Sequence, residues 1–190
     1  DEINYYIKQT EIYNLSVREL REKIKSKEYQ RLDNNTKLKL INKEETVVSD
    51  FIKNPIVIRN KYNIDKESIT EKILQRLILE DIPSFLKELG EGFTFVENEY
   101  KIKIGNTFNY IDLLLYNIKF NCYVVIELKV TELKKEHIGQ IQIYMNYVDK
   151  NIKTINQDKT IGVIICKKDN GYYIEYSSDN RIFSKNYILS

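Results

Sequence analysis

The 190-residue chain has 42% hydrophobic and 31% charged residues, enough for one core with a charged surface. Its net charge of +2 is not the footprint of a strongly basic nucleic-acid binder, and with one His and two isolated Cys a zinc site is not expected. No apolar run approaches the roughly 18 residues of a membrane span, and no signal peptide is visible, so a protein without membrane attachment is expected.

Residues 1–64 are rich in Tyr and Lys and helical in pattern, and are expected to form a helical N-terminal extension to a domain at 65–190. The chain opens on Asp rather than Met, as a piece of a longer protein would. Ser16-Val17-Arg18-Glu19 is a capping box, in which the first side chain and the fourth each satisfy the other's backbone N–H. It predicts an amphipathic helix carrying Leu20 and Ile24 and fading near Tyr29. A second helix is predicted from Thr36 to about Glu45. Asn54-Pro55 ends it, and Ile56-Val57-Ile58 reads as a short extended or docking segment.

Asp65 to Gly90 carries apolar residues at helix spacing, from Ile69 and Ile73 through Leu86 and Leu89, with Gly90 as a natural stop. Pro83 lies inside this pattern, so either the helix kinks or two helices meet near Asp81. Glu71 and Gln75 share a face, and for a lone pair of this kind a solvated helix face is the ordinary reading. From Phe93 the period switches to two. Strands are expected at 93–104, 108–117 and 120–130, with turns at Gly105-Asn106 and at Asn117 to Asn121. Lys134 to Tyr147 returns to helix, and Thr160–Lys167 reads as a strand buried on both faces. Asn170-Gly171 predicts a turn, with Tyr172–Tyr176 as an edge strand beyond it. A strand–helix–strand crossover joined to a hairpin gives an α/β fold, a mixed sheet with helices packed against it.

The most informative stretch is Tyr110 to Lys129, two apolar runs either side of a polar break. Asp112 interrupts I-D-L-L-L, and Glu127 and Lys129 interrupt V-V-I-E-L-K-V. Side chains alternate along a strand, so Glu127 and Lys129 share a face while Cys122, Val124, Ile126, Leu128 and Val130 line the other. A hairpin would bring Asp112 opposite the Glu-x-Lys pair. Buried charges need partners or a metal, and two adjacent carboxylates repel unless one is protonated or a cation lies between them. Mg²⁺ takes oxygen ligands, commonly one or two carboxylates plus water and phosphate. An adjacent lysine can orient a water or offset developing negative charge. The spacing D-x14-E-x-K also arises by chance in lysine-rich chains, where a salt bridge on a half-exposed sheet is the simpler reading. In the following helix Gln140 and Tyr144 stack on one face, which His137 shares less well; Ile138, Ile141, Met145 and Val148 form a stripe for the sheet. Gln140 and Tyr144 could donate to a substrate's phosphate backbone or to a metal-bound water, although Tyr144 also reads as a core-edge aromatic, and His137 reads as a solvated side chain. Cys122 and Cys166 fall in apolar runs and read as reduced core residues of a cytoplasmic protein.

With those pieces in place, the chain resembles the PD-(D/E)xK nuclease superfamily, and within it the bacterial YhcG-like proteins. The resemblance runs from about Ser16 to the C-terminus. It rests on F-L-K-E-L-G-E-G-F-T-F-V (85–96), Y-I-D-L-L-L-Y (110–116), C-Y-V-V-I-E-L-K (122–129), E-H-I-G-Q-I-Q-I-Y-M-N-Y (136–147) and I-G-V-I-I-C (161–166). It implies a restriction-endonuclease-like sheet flanked by helices and a DNA substrate. Mg²⁺ or Mn²⁺ would be the cofactor, with no small-molecule cofactor. Asp112 and Glu127 become metal ligands, Lys129 the residue that positions water, and Gln140 and Tyr144 helix-borne support. A homodimer is expected, since nucleases that cut both strands are often dimers. Two departures stand out. Gln75 occupies the position where the superfamily often has an acid, and Glu97-Asn98-Glu99 replaces an expected Gly-Arg-Gln. The first leaves open a DNA-binding or assembly module that keeps the fold and cuts little. A helical interaction protein, assembled through residues 1–62, is a third reading.

Overall fold

The computed structural model describes residues 2–190, which divide after Asn54 into two compact units. In the first, helices α1 (Glu2–Tyr13), α2 (Val17–Lys25) and α3 (Asn34–Asn42) surround a small core of Tyr5, Tyr6 and Leu32. The capping box that starts α2 is formed: Glu19 N–H donates to Ser16 Oγ at 3.3 Å, and Ser16 N–H to Glu19 Oε2 at 2.8 Å. The core is completed by a charge cluster. Glu28, 7% exposed, accepts from the Tyr5 hydroxyl at 2.7 Å and pairs with Lys23 at 3.0 Å and Lys53 at 3.8 Å.

The second unit is a mixed α/β layer. Its strands are β1 (Ile56–Ile58), β2 (Phe93–Ile104), β3 (Thr107–Asn117), β4 (Cys122–Glu132), β5 (Asp158–Lys168) and β6 (Ile182–Leu189). They form one six-stranded sheet in the order β1-β6-β5-β4-β3-β2. The β2–β3–β4 meander is antiparallel, and β4–β5, β5–β6 and β6–β1 are parallel. The parallel half depends on a crossover, supplied between β4 and β5 by α6 (Lys135–Asn151). That helix lies across β4 and β5, its Ile141, Tyr144, Met145 and Val148 packed with Leu114, Val125 and Ile164. Contact is close enough that a Cβ on Gly162 would lie 2.5 Å from Met145 Sδ and 2.9 Å from Ile141. Among the described residues no helix is long and apolar enough to cross a membrane.

Most of the expected elements form, with instructive differences. The 65–90 pattern resolves into two helices, α4 (Glu71–Leu79) and α5 (Ile82–Leu89), meeting at Asp81. Pro83 sits in the first turn of α5, where its missing N–H costs nothing, and Asp81 accepts from Ser84 N–H as the cap. Regular helix starts at Glu71 rather than Asp65, since Thr70 caps it and 66–68 is only a 3-10 turn. β4 starts at Cys122 rather than Phe120 because Asn117 Oδ1 holds the N–H groups of Lys119 and Phe120 in the turn. The expected edge strand Tyr172–Tyr176 is instead helical over Tyr172–Glu175, in the short helix α7 (Gly171–Glu175) with Tyr176 as its C-cap, and β6 takes the place beside β5. An aromatic run fits a strand only where a pleated surface can half-bury it, and here that place goes to Ile182, 1% exposed, while Tyr172 and Tyr176 stay 73% and 82% exposed. Nor is β6 an edge: Ile56–Ile58, the short extended segment, pairs with it and ties residues 55–64 to the sheet unit.

Candidate active site

β3 and β4 pair from Asn117–Cys122 to Leu113–Ile126, and there the ladder stops. One further step would set Asp112 opposite Glu127. Instead each carboxylate takes a backbone donor from the facing strand. Asp112 N–H donates to Glu127 Oε1 at 3.3 Å, and Leu128 N–H donates to Asp112 Oδ2 at 2.8 Å. The two strands part around their own acidic side chains. Lys129 Nζ lies 3.6 Å from Glu127 Oε2, so the three charges expected to converge do so. That separation exceeds a good N–H···O hydrogen bond, leaving an ion pair without a tight bond.

Burial makes this arrangement electrostatically uncomfortable. Glu127 is 2% exposed. Burial first, and the Asp112 charge second, push its carboxyl up to about 8, against the opposing pull of Lys129. Asp112 is raised as well, chiefly by burial; Leu128 N–H and Lys129 partly offset this, while Glu71 and Glu99 add to it. Glu28 in the first unit shows the contrast. Burial would raise it too, but Lys53, Lys23 and the Tyr5 hydroxyl outweigh that and hold it below the usual range. The charge of Glu28 is offset by its neighbours, and that of Glu127 is not.

Two residues of α4 join the site. Gln75, only 8% exposed, donates from Nε2 to the Asp112 carbonyl at 3.0 Å, giving that oxygen a partner where the ladder has ended. Glu71 Oε2 is 4.0 Å from Lys129 Nζ. The solvated face expected for this pair is therefore corrected for Gln75, whereas Glu71, its side chain 48% exposed, stays on a solvated face and reaches Lys129 from there. Their helix spacing was the available signal, but Thr70 and the packing of α4 on the sheet decide where the face points. Glu99 falls between the register pairs Asn98–Leu113 and Tyr100–Ile111, hence level with Asp112, at φ +48.

On α6, Gln140 Nε2 donates to the Tyr144 hydroxyl at 3.1 Å. The two are paired as their spacing implies, but Tyr144 is 5% exposed and packed in the core under α6. This bond is internal to α6 and does not connect the pair to Asp112, Glu127 or Lys129. His137 is half-buried rather than solvated, and its Nδ1 accepts from Lys134 N–H at 3.1 Å, capping the start of α6. Burial, with Lys129 and Lys134 nearby, lowers its pKa and suits that acceptor role. Among the described residues no group of three or more His, Cys, Asp and Glu side chains is arranged to hold a metal ion. A cation at this site would therefore have two carboxylates from the protein and the remaining ligands from water or substrate, a composition common for Mg²⁺.

Known proteins offer comparisons for this chain. The model of the family described as the YhcG PDDEXK nuclease domain matches residues 49–189. The protein YhcG of Escherichia coli (strain K12), itself named only as a candidate nuclease, is 25% identical over 172 residues. The match covers 87% of this chain and 45% of that protein, so the chain spans about half the length of this curated relative. Among solved structures, a repair endonuclease from Pyrococcus abyssi aligns with a TM-score of 0.44 and 16% identity, over 63% of this chain and 47% of that one. EndoMS in complex with dsDNA aligns with a TM-score of 0.46 and 18% identity, over 65% and 48%.

Proposed function

Because the chain belongs to the YhcG PDDEXK nuclease family, within the PD-(D/E)xK superfamily, we propose that it is a Mg²⁺- or Mn²⁺-dependent nuclease hydrolysing phosphodiester bonds in DNA. The observation that carries this reading is the parting of β3 and β4 around Asp112 and Glu127, with Lys129 beside them. Two carboxylates whose proton affinity is raised by burial and by neighbouring acidic charge suit a hard divalent cation, which would relieve both penalties. Asp112 and Glu127 would hold it. When bound, such an ion supplies charge neutralisation at phosphate and lowers the pKa of water. Lys129, held between Glu127 and Glu71, orients the attacking water and offsets charge developing on the phosphate. Gln75 keeps the Asp112 backbone in place. Gln140 and Tyr144, joined by their own hydrogen bond, support the site from α6 by fixing that helix against the sheet.

Further parts of the reading concern the whole protein. A cytoplasmic location suits the buried Cys122 and Cys166, whose thiols burial pushes up to about 11 and about 12 and so keeps unreactive. Association of two copies through the N-terminal helices is supported by Ile3 and Ile7, one turn apart on α1 and 70% and 50% exposed. A catalytically weak DNA-binding module is a second reading, favoured by Gln75: it puts an amide donor where an acid would add a metal ligand.

The test is divalent-metal calorimetry on the parent, Asp112→Ala and Glu127→Ala, alongside cleavage of plasmid and branched DNA. Mg²⁺ or Mn²⁺ binding that both substitutions abolish, together with cleavage by the parent alone, is the expected result. Metal binding without cleavage of any substrate would favour the second reading. No metal binding with DNA present would overturn the first.

A further inference from the structure

Beyond Leu113 the β2–β3 hairpin runs on without β4, past Asp112 to the turn at Gly105-Asn106. Its two faces differ. Ile102 and Ile111 are 1% and 0% exposed and belong to the core cluster under α6. The other face carries Lys101 opposite Tyr110 and Lys103 opposite Phe108, since directly opposed residues of an antiparallel pair share a face. Phe108 and Tyr110 are 52% and 51% exposed. Lys101 Nζ lies 4.0 Å from the Phe108 ring centroid, and Lys103 Nζ 5.8 Å. Tyr110 is two residues, about 7 Å of strand, from Asp112.

A single exposed aromatic is ordinary on a protein surface. Two on one face, in line with the acidic site and rimmed by two lysines, have a more specific use. Aromatic rings offer stacking surfaces to unpaired bases, and adjacent ammonium groups meet the phosphates between them. In a duplex the bases are stacked on each other and present only edges and backbone, so the rings would gain little there. We propose that this hairpin face is a docking platform for single-stranded DNA, leading the strand from Phe108 past Tyr110 to Asp112. The proposal rests on the nuclease reading and adds to it the form of the substrate: DNA with an unpaired segment beside the scissile bond. Apart from contacts to DNA, the Lys–Phe pairing would merely stiffen the hairpin, and the experiment separates the two roles.

Binding of the complete chain to labelled oligothymidine and to a duplex of equal length is measured by fluorescence anisotropy, in chelator so that nothing is cut. The parent should prefer the oligothymidine. Phe108→Ala/Tyr110→Ala should weaken that complex about tenfold or more, while duplex affinity changes less than about twofold. Phe108→Trp, which keeps a π face, should retain the binding. Lys101→Ala/Lys103→Ala should reduce the slope of log affinity against log salt by about 1.4 for the single strand. Parental affinity in the Phe108→Ala/Tyr110→Ala variant, with an unchanged circular dichroism spectrum, would overturn the platform and leave the nuclease reading standing. So would a size change with concentration that this variant alone loses, because the face would then join two copies. If the parent binds neither DNA and cuts none, the nuclease reading falls and the platform with it.

Discussion

At the scale of single residues, the two buried glutamates separate structural from functional charge. Glu28 has two lysines and a tyrosine hydroxyl and is stabilised in its ionised form. Glu127 has one loosely held lysine and a second carboxylate, and its proton affinity rises to about 8. The sign of the pH effect follows. Between an unfolded value near 4.5 and about 8, the folded state binds the proton that the unfolded state has lost, so metal-free stability falls as pH rises through that window. Glu127→Gln removes the titration. In chelator its melting temperature should exceed the parent's at pH 8 and match it near pH 4, as read by calorimetry. A parent melting temperature that rises from pH 5 to 8 relative to Glu127→Gln would contradict this account. Lys129→Ala should retain metal binding and lose about 10²- to 10⁴-fold in cleavage rate, the usual range for a group that positions or transfers a proton. Equal losses of metal affinity and rate would instead make Lys129 a prop for the carboxylates.

Between elements, the site depends on how a helix meets a broken ladder. Where β3 leaves β4, the Asp112 carbonyl loses its strand partner and Gln75 of α4 supplies one. Gln75→Ala should cost about 1 kcal/mol in denaturant unfolding, since the part-buried Asp112 carbonyl is left without its donor. Gln75→Glu should cost at least as much near neutral pH, because a carboxylate would face that oxygen without a proton to donate. Elsewhere in the sheet, α6 presses onto β5 at Gly162. Gly162→Ala should destabilise by about 1–3 kcal/mol, since its Cβ would meet Met145 Sδ at 2.5 Å and Ile141 at 2.9 Å. Adding Ile141→Val to that variant should recover part of the loss, and an additive double mutant would show that the crowding lies elsewhere.

For the molecule as a whole, the division after Asn54 assigns the complete sheet and all three site charges to one unit. A fragment of residues 55–190 should therefore unfold cooperatively and retain the metal affinity of the longer chain. Calorimetric unfolding and metal titration of the fragment check this. A fragment without a cooperative transition would show that the helical unit is needed to complete the fold.

Much of this was legible in the sequence, because it depends on local periodicity. Alternation set Glu127 and Lys129 on one face and the apolar residues on the other. The Asn117–Asn121 break marked the hairpin, and its pairing set Asp112 level with Glu127. Helix spacing marked α6, and the continuous apolar run of β5 marked an inner strand. Other features depend on residues far apart in the chain, to which no local pattern refers. Tyr172–Tyr176 has the composition of a strand, yet the place beside β5 goes to Ile182–Leu189, whose own pattern is weak. Gln75 looks like part of a wet helix face until α4 is set against the sheet. His137 looks like a free imidazole until the turn before α6 brings the Lys134 N–H to it. Which residues are acidic, apolar or able to share a face was determined by the sequence itself, through the fixed geometry of strand and helix. The parting of β3 from β4 and the pairing of Gln75 with Asp112 were decided by tertiary structure, because each balances burial, repulsion and hydrogen bonding among segments that meet only once the chain has folded.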